Sequence, residues 1–176
     1  PPEELQQFYE ANKDRYSQAQ VKVIYIGFSA NPAAAPPGKK YLSETEARAK
    51  IEKIRAEIAD GADFVEMVKR YSEDQASAEK NGDFGNIRRD DKVPEAIRNA
   101  IFALKPGEMS QPVRQPNGFY LFRVEEISTR PFQQVRDEVF NEVKRRRFKQ
   151  WMEQTEKSLN IKYENEAFFN PPPAKP

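Results

Sequence analysis

Histidine and cysteine are both missing from this chain of 176 residues. Without cysteine there is no disulfide, no thiolate nucleophile and no zinc–thiolate centre. Without histidine, Ser-His-Asp chemistry and most transition-metal sites go as well. Carboxylate-only magnesium or calcium binding is the metal chemistry left, and no EF-hand or similar loop is present, so no metal and no cofactor is implied. No apolar run approaches the roughly 18 residues that a membrane-spanning helix needs. Charge of one sign is lacking too. The 29 Lys and Arg residues against 28 Asp and Glu leave a net charge of +1, which offers no global field for nucleic acid or an anionic membrane surface.

What is present is a low apolar share, 38%, beside 32% charged residues, the balance of a modest core with long solvated helices. The length suits one domain with some elaboration. The start at Pro1-Pro2-Glu3 reads as a processed product or an excised fragment.

Residues 3–16 carry Leu5, Phe8, Tyr9, Asn12 and Tyr16 at helical spacing after a proline, so a helix is predicted. Residues 21–28 are β-branched and aromatic and read as a strand, whereas the Ala, Pro and Gly of residues 29–40 predict a mobile surface loop. Ser43 and Glu46 form a capping-box pattern before a helix with Ala47, Ile51, Ile54 and Ile58 on one face, and Gly61 ends it. Asp63 is placed to cap a second helix through Phe64, Val68 and Tyr71. Pro94 opens another, carrying Ile97, Ala100, Ile101 and Leu104. Strands are predicted at 110–114 and 119–126, joined by a hairpin turn at Pro116-Asn117-Gly118. A helix follows from Pro131 to about Leu159, then a short strand at Ile161–Tyr163 and a disordered proline-rich tail over 164–176. No internal repeat occurs, and this order predicts an α+β fold with an antiparallel sheet.

Two stretches are more specific. Tyr71-Ser72-Glu73-Asp74-Gln75-Ala76-Ser77-Ala78-Glu79-Lys80-Asn81-Gly82-Asp83-Phe84-Gly85 joins a helix end, an acidic turn and a glycine-bracketed entry into buried structure. Phe102-Ala103-Leu104-Lys105-Pro106-Gly107-Glu108-Met109-Ser110-Gln111-Pro112-Val113 follows. Together they resemble parvulin-type (PpiC, rotamase) peptidyl-prolyl cis-trans isomerase domains, as found in exported bacterial foldases of the SurA and PrsA kind. The resemblance covers residues 21–127. It implies a four-stranded antiparallel sheet flanked by helices, with extra N- and C-terminal helices outside it. The implied organisation is an N-terminal helix in a chaperone-like flank (1–20), an isomerase domain (21–128), a second piece of the flank (129–163) and the tail (164–176).

The same resemblance implies the site. Tyr25 and Tyr120 stand where the family usually has histidine, and the paired replacement suggests two phenols facing each other across adjacent strands and sharing a hydrogen bond. Two aromatic residues filling a sheet face would give the same pattern. Asp74 falls where parvulins place an acidic or thiol residue beside the prolyl bond, although a turn or cap role also fits it. Gln115 corresponds to a small hydroxyl residue. Phe84, Ile87, Val93 and Ile97 would hold the proline ring. Lys92 where many members have methionine, and Ala96-Ile97 where they have phenylalanine with one residue fewer, alter the pocket loop. Ser110 matches a family segment but more simply supports the turn into its strand. The Gly82-Asp83-Phe84-Gly85 run lacks every companion motif of a kinase.

Lys144-Arg145-Arg146-Arg147 spreads around a helix, and Glu142 precedes Arg146 by four residues, so it reads as a solvated surface rather than a nucleic-acid grip. The apolar stripe of Val135, Val139, Val143, Trp151 and Met152 suggests self-association or a helix swap through 131–159. Two functions are therefore carried forward. One is a prolyl isomerase acting on proline-containing peptides and unfolded or partly folded clients, periplasmic or otherwise exported by resemblance only. The other is a catalytically weak domain of the same fold that binds clients as a chaperone module.

Overall fold

The computed structural model describes residues 1–169, 173 and 174. In chain order the elements are α1 (Pro2–Ala11), β1 (Ser17–Gly27), α2 (Glu44–Ala59), α3 (Phe64–Tyr71), α4 (Gln75–Ala78), β2 (Asp83–Arg88), α5 (Glu95–Phe102), β3 (Val113–Gln115), β4 (Gly118–Thr129) and α6 (Phe132–Phe169). Short 3-10 turns lie at Lys13–Tyr16 and Pro32–Ala34. The chain divides into two compact units, residues 13–130 and residues 1–12 with 131–176.

In the first unit all strand pairs are antiparallel, and the sheet order is β2-β1-β4-β3. Alternation along β1 and β4 separates two cores, because successive side chains leave a strand on opposite faces. Ile24, Ile26, Phe119 and Leu121 meet Ala47, Ile51 and Ile54 of α2 and Phe64, Met67 and Val68 of α3. Val21, Val23, Phe122 and Val124 meet Ile97 and Ile101 of α5 and Val113 of β3. Each fully buried aliphatic or aromatic side chain contributes about 1.5–3 kcal/mol by leaving water.

The caps read from the sequence are formed. Ser43 Oγ accepts the Glu46 amide at 3.2 Å, and the Ser43 amide donates to Glu46 Oε1 at 3.0 Å. Asp63 Oδ2 accepts the Glu66 amide at 3.0 Å, which starts α3. Gly82, at φ +87, lets the backbone close on β1, since a Cβ there would lie 2.8 Å from Val68 Cγ2 and 3.2 Å from the Val23 carbonyl.

In the other unit α1 packs along the first turns of α6. Val135, Val139 and Val143 are buried, and the Tyr9 and Phe132 rings meet at 5.5 Å. The buried Glu142 carboxylate pairs with Arg145 and, at 3.0 Å, with Arg146. The sequence-predicted stripe therefore splits, because Trp151 and Met152 lie exposed beyond α1. A correction applies to residues 161–169. They continue α6 instead of forming a strand and the start of a disordered tail, because the run from Asn160 to Phe169 has neither glycine nor proline to stop the helix. Residues 170–172, 175 and 176 of the expected tail lie outside the described residues. Among the described residues, no helix is long and apolar enough to cross a membrane.

Candidate active site

The site forms where β2 stops covering β1. β2 pairs with β1 only as far as Lys22, so the amides and carbonyls further along β1 need other partners. The Val23 amide donates to the Gly82 carbonyl at 2.9 Å. The Tyr25 amide donates to Ser72 Oγ at 3.1 Å, and the Tyr25 carbonyl accepts the Glu73 amide at 2.8 Å. The Gly27 amide then donates to Glu73 Oε1 at 3.2 Å. The turn after α3 thus substitutes for a strand, and the next residue, Asp74, is fixed beside Tyr25. Asp74 is half-buried at the N-terminus of α4, with its carboxylate accepting the hydroxyl of buried Ser77.

Tyr25 and Tyr120 are direct partners across β1 and β4, with ring centroids 4.7 Å apart and planes inclined at 39°. The expected hydrogen bond between them is not what holds them. The Tyr25 hydroxyl instead donates to the Asn117 carbonyl at 2.8 Å. That reach depends on Gly118, where a Cβ would sit 2.6 Å from the Ile26 carbonyl and 2.7 Å from Tyr25 Cζ. Burial pushes the Tyr25 phenol up from its ordinary value, and Tyr120, Glu73 and Asp74 add to the shift. Burial also raises Tyr120, followed by the charge of Asp74. Both phenols are therefore held in their neutral, proton-donating form at physiological pH.

An aromatic wall extends from this pair. Tyr120 and Phe122, two residues apart on one face, stack with planes 5° apart and centroids at 5.8 Å. Phe84 of β2 approaches them at 6.5 and 6.1 Å and is 37% exposed. Phe122 is fully buried behind the other two rings, so Phe84 and Tyr120 form the accessible part of the wall, and it suits a proline ring, which is apolar and lacks a donor.

The remaining sequence-predicted residues lie less close to this centre. Gln115 pairs with Gly118 and is two residues along β3 from Val113, the partner of Tyr120, so it shares their sheet face. Its amide donates to the Arg114 carbonyl at 2.8 Å. Ile87 pairs with Ala19, six positions down β1 from Tyr25, which is about 20 Å along an extended strand. Ile97, 8% exposed, belongs to the core under the sheet. Val93 is half-buried in a loop whose carbonyls at Asp91 and Val93 accept from Arg98. Ser110 is buried, with Oγ accepting the Phe122 amide at 3.0 Å, which suits its supporting role.

Sequence reasoning missed Ser72, Glu73, Asn117 and Phe122. Ser72 and Glu73 lay within the quoted motif, but their bonds run to backbone groups of β1, which no residue pattern displays.

Residues 32–126, more than half of the chain, match the model of the Rotamase family, described as the PPIC-type PPIASE domain. The chain belongs to that family. Among curated relatives, the Chaperone SurA of Aromatoleum aromaticum is 37% identical over 131 residues, covering 69% of this chain and 29% of the relative. Foldase protein PrsA 1 of Bacillus cereus is 36% identical over 99 residues, covering 56% and 34%. The chain spans about a third or less of the length of these relatives. A solved PpiC-type peptidyl-prolyl cis-trans isomerase domain superposes with a TM-score of 0.55 at 21% identity, covering 66% of this chain and 95% of that one. At that identity the likeness bears on the fold, which is the α+β, four-stranded antiparallel architecture of the family.

Proposed function

We propose that the Rotamase unit catalyses cis–trans isomerisation of X-Pro bonds in unfolded or partly folded proteins. The observation that carries this reading is the half-buried Asp74 carboxylate beside the facing Tyr25 and Tyr120, at the end of an aromatic wall closed by Phe84. The imide bond resists rotation with a barrier of about 18–20 kcal/mol, because its C–N bond has double-bond character. No covalent step is needed to lower it. A site need only bind the twisted imide better than the planar one. In this reading Phe84 and Tyr120 flank the proline ring with buried Phe122 backing them. The Tyr120 phenol orients polar atoms of the imide, Tyr25 packs against Tyr120 with its own hydroxyl held by Asn117, and the carboxylate supplies the local field. Histidine is dispensable because rotation transfers no proton. Gln115 would contribute polarity at the β3 edge and Val93 the far rim of the pocket, while Ile87 and Ile97 would support it from the core.

Exchange NMR on unphosphorylated X-Pro peptides tests the proposal. Acceleration that falls at least about tenfold in Asp74→Ala supports it. Peptide binding with unchanged exchange would instead favour the second reading, a client-holding domain on the same fold. The exposed Phe84 and the altered loop around Val93 are the observations on that side. Folding assistance of exported clients, in a periplasmic or other exported setting, is part of the proposal, as is self-association through residues 131–159. The names of the relatives, chaperone and foldase, support the former.

A further inference from the structure

Tyr25 belongs to two surfaces. Besides contacting Tyr120, it lines a cavity of about 410 Å³ together with Phe28, Lys40, Tyr41, Leu42 and Glu73. Apart from Tyr25, no functional expectation fell on the lining of this cavity, since Phe28 ends the expected first strand, Lys40 ends the expected mobile loop, and Tyr41 and Leu42 follow it. Three aromatic rings and one carboxylate around a pocket make a site for an organic cation, because a cation is drawn to ring faces and its aliphatic stem to the apolar floor.

The charges sort the same way. Arg114 already rests over the Phe28 ring at 5.4 Å, and it is matched by Glu44. Lys40 lies toward the start of α2, where its charge adds to the bonds from Ser43 that hold the Glu46 carboxyl below its usual range. Arg114 is thus paired with a glutamate in the first turn of α2, whereas Lys40 is drawn only weakly to Glu46 and stays a cation of the lining. Glu73 spends one oxygen on the Gly27 amide, and among the described residues no ion pair holds Glu73 or Asp74.

We infer that this cavity is the subsite for the residue next to the proline, and that it selects a lysine or arginine side chain there. The stem would lie on Phe28 and Leu42, with the charged head between the Tyr25 and Tyr41 rings and the Glu73 carboxylate. The inference rests on the reading that the unit takes prolyl peptides, in either its catalytic or its binding form.

The test uses the whole chain and end-blocked peptides Ala-Xaa-Pro-Ala and Ala-Pro-Xaa-Ala, with Xaa as Arg, Ala or Glu, titrated against amide NMR spectra. In one of the two series, Arg should bind about five- to tenfold more tightly than Glu, the scale of one exposed cation–ring contact with one carboxylate. The preference should shrink as salt rises, and the Gly27 and Tyr41 amides should shift. Glu73→Gln, which keeps an acceptor for Gly27, should lower the Arg-to-Ala ratio to the part owed to the Tyr25 and Tyr41 rings. Lys40→Gln should raise it, which provides a second check independent of Glu73. Equal affinity for all three peptides, with shifts confined to Tyr120 and Phe84, would overturn the subsite and leave the prolyl reading standing. Tighter binding of Glu would overturn it in favour of Lys40 as the reader. Failure of every proline peptide to bind would overturn both.

Discussion

The Tyr25 hydroxyl donates a hydrogen bond to the Asn117 carbonyl, and burial, Tyr120, Glu73 and Asp74 all oppose loss of its proton. A histidine pair would titrate near neutrality, whereas this pair does not. Both phenols are raised above 10.0, so the stability tied to their neutral forms is fully present below that pH. It is lost as pH rises through the folded-state values. Peptide exchange and folding stability should therefore show no ionisation of these residues between about pH 6 and pH 9 and decline only in the alkaline limb. A pH–rate profile checks this, and a step near pH 6.5 that vanished in Tyr25→Phe would refute it. Gly118 carries the second prediction at this scale. Gly118→Ala puts a methyl group against the Ile26 carbonyl and the Tyr25 ring, an overpacking that costs about 1–3 kcal/mol. Denaturant unfolding should register the loss, and the Tyr25 ring resonances should move with it. Tyr25 and Tyr120 were legible as a facing pair because both stand at the usual histidine positions of the family the chain resembles. Their hydrogen bonding was not, because it depends on a backbone carbonyl that the turn at Asn117 brings round.

Helix starts were the elements most open to sequence reasoning, since a cap is a contact between residues three apart. Ser43→Ala should remove one half of the box on α2 and cost about 1 kcal/mol, measured by chemical denaturation. β2 was harder to see. Its residues are almost all exposed, with Ile87 the exception, so no alternation marks it. What makes it a strand is the neighbouring edge of β1. α6 erred in the opposite direction. Ile161, Lys162 and Tyr163 alternate locally like a strand, yet no partner edge is offered, and an uninterrupted helix simply propagates through them.

At the scale of the molecule, the two units differ in how completely they cover apolar surface. The sheet unit buries large side chains on both of its faces. In the helical unit, Phe148, Trp151, Met152 and Leu159 are each at least 50% exposed, and such a patch favours association. Light scattering is expected to show a mass that rises with concentration and falls back in Trp151→Glu. A clean monomer at all concentrations would count against association. Composition and local pattern alone determined that the chain has no thiol or imidazole side chain, where most of the helices and the strands β1 and β4 lie, and, through its motifs, that the chain resembles a prolyl isomerase. These are properties of residue identity and short spacing. Only the tertiary structure decided that Glu73 and Ser72 stand in for a missing strand, that Ile97 packs inside while Phe84 faces out, and that Tyr25 touches both Tyr120 and the cavity beside Phe28. Each of those depends on which distant segments share an edge or a face, and that is settled by pairing and burial of the whole sheet.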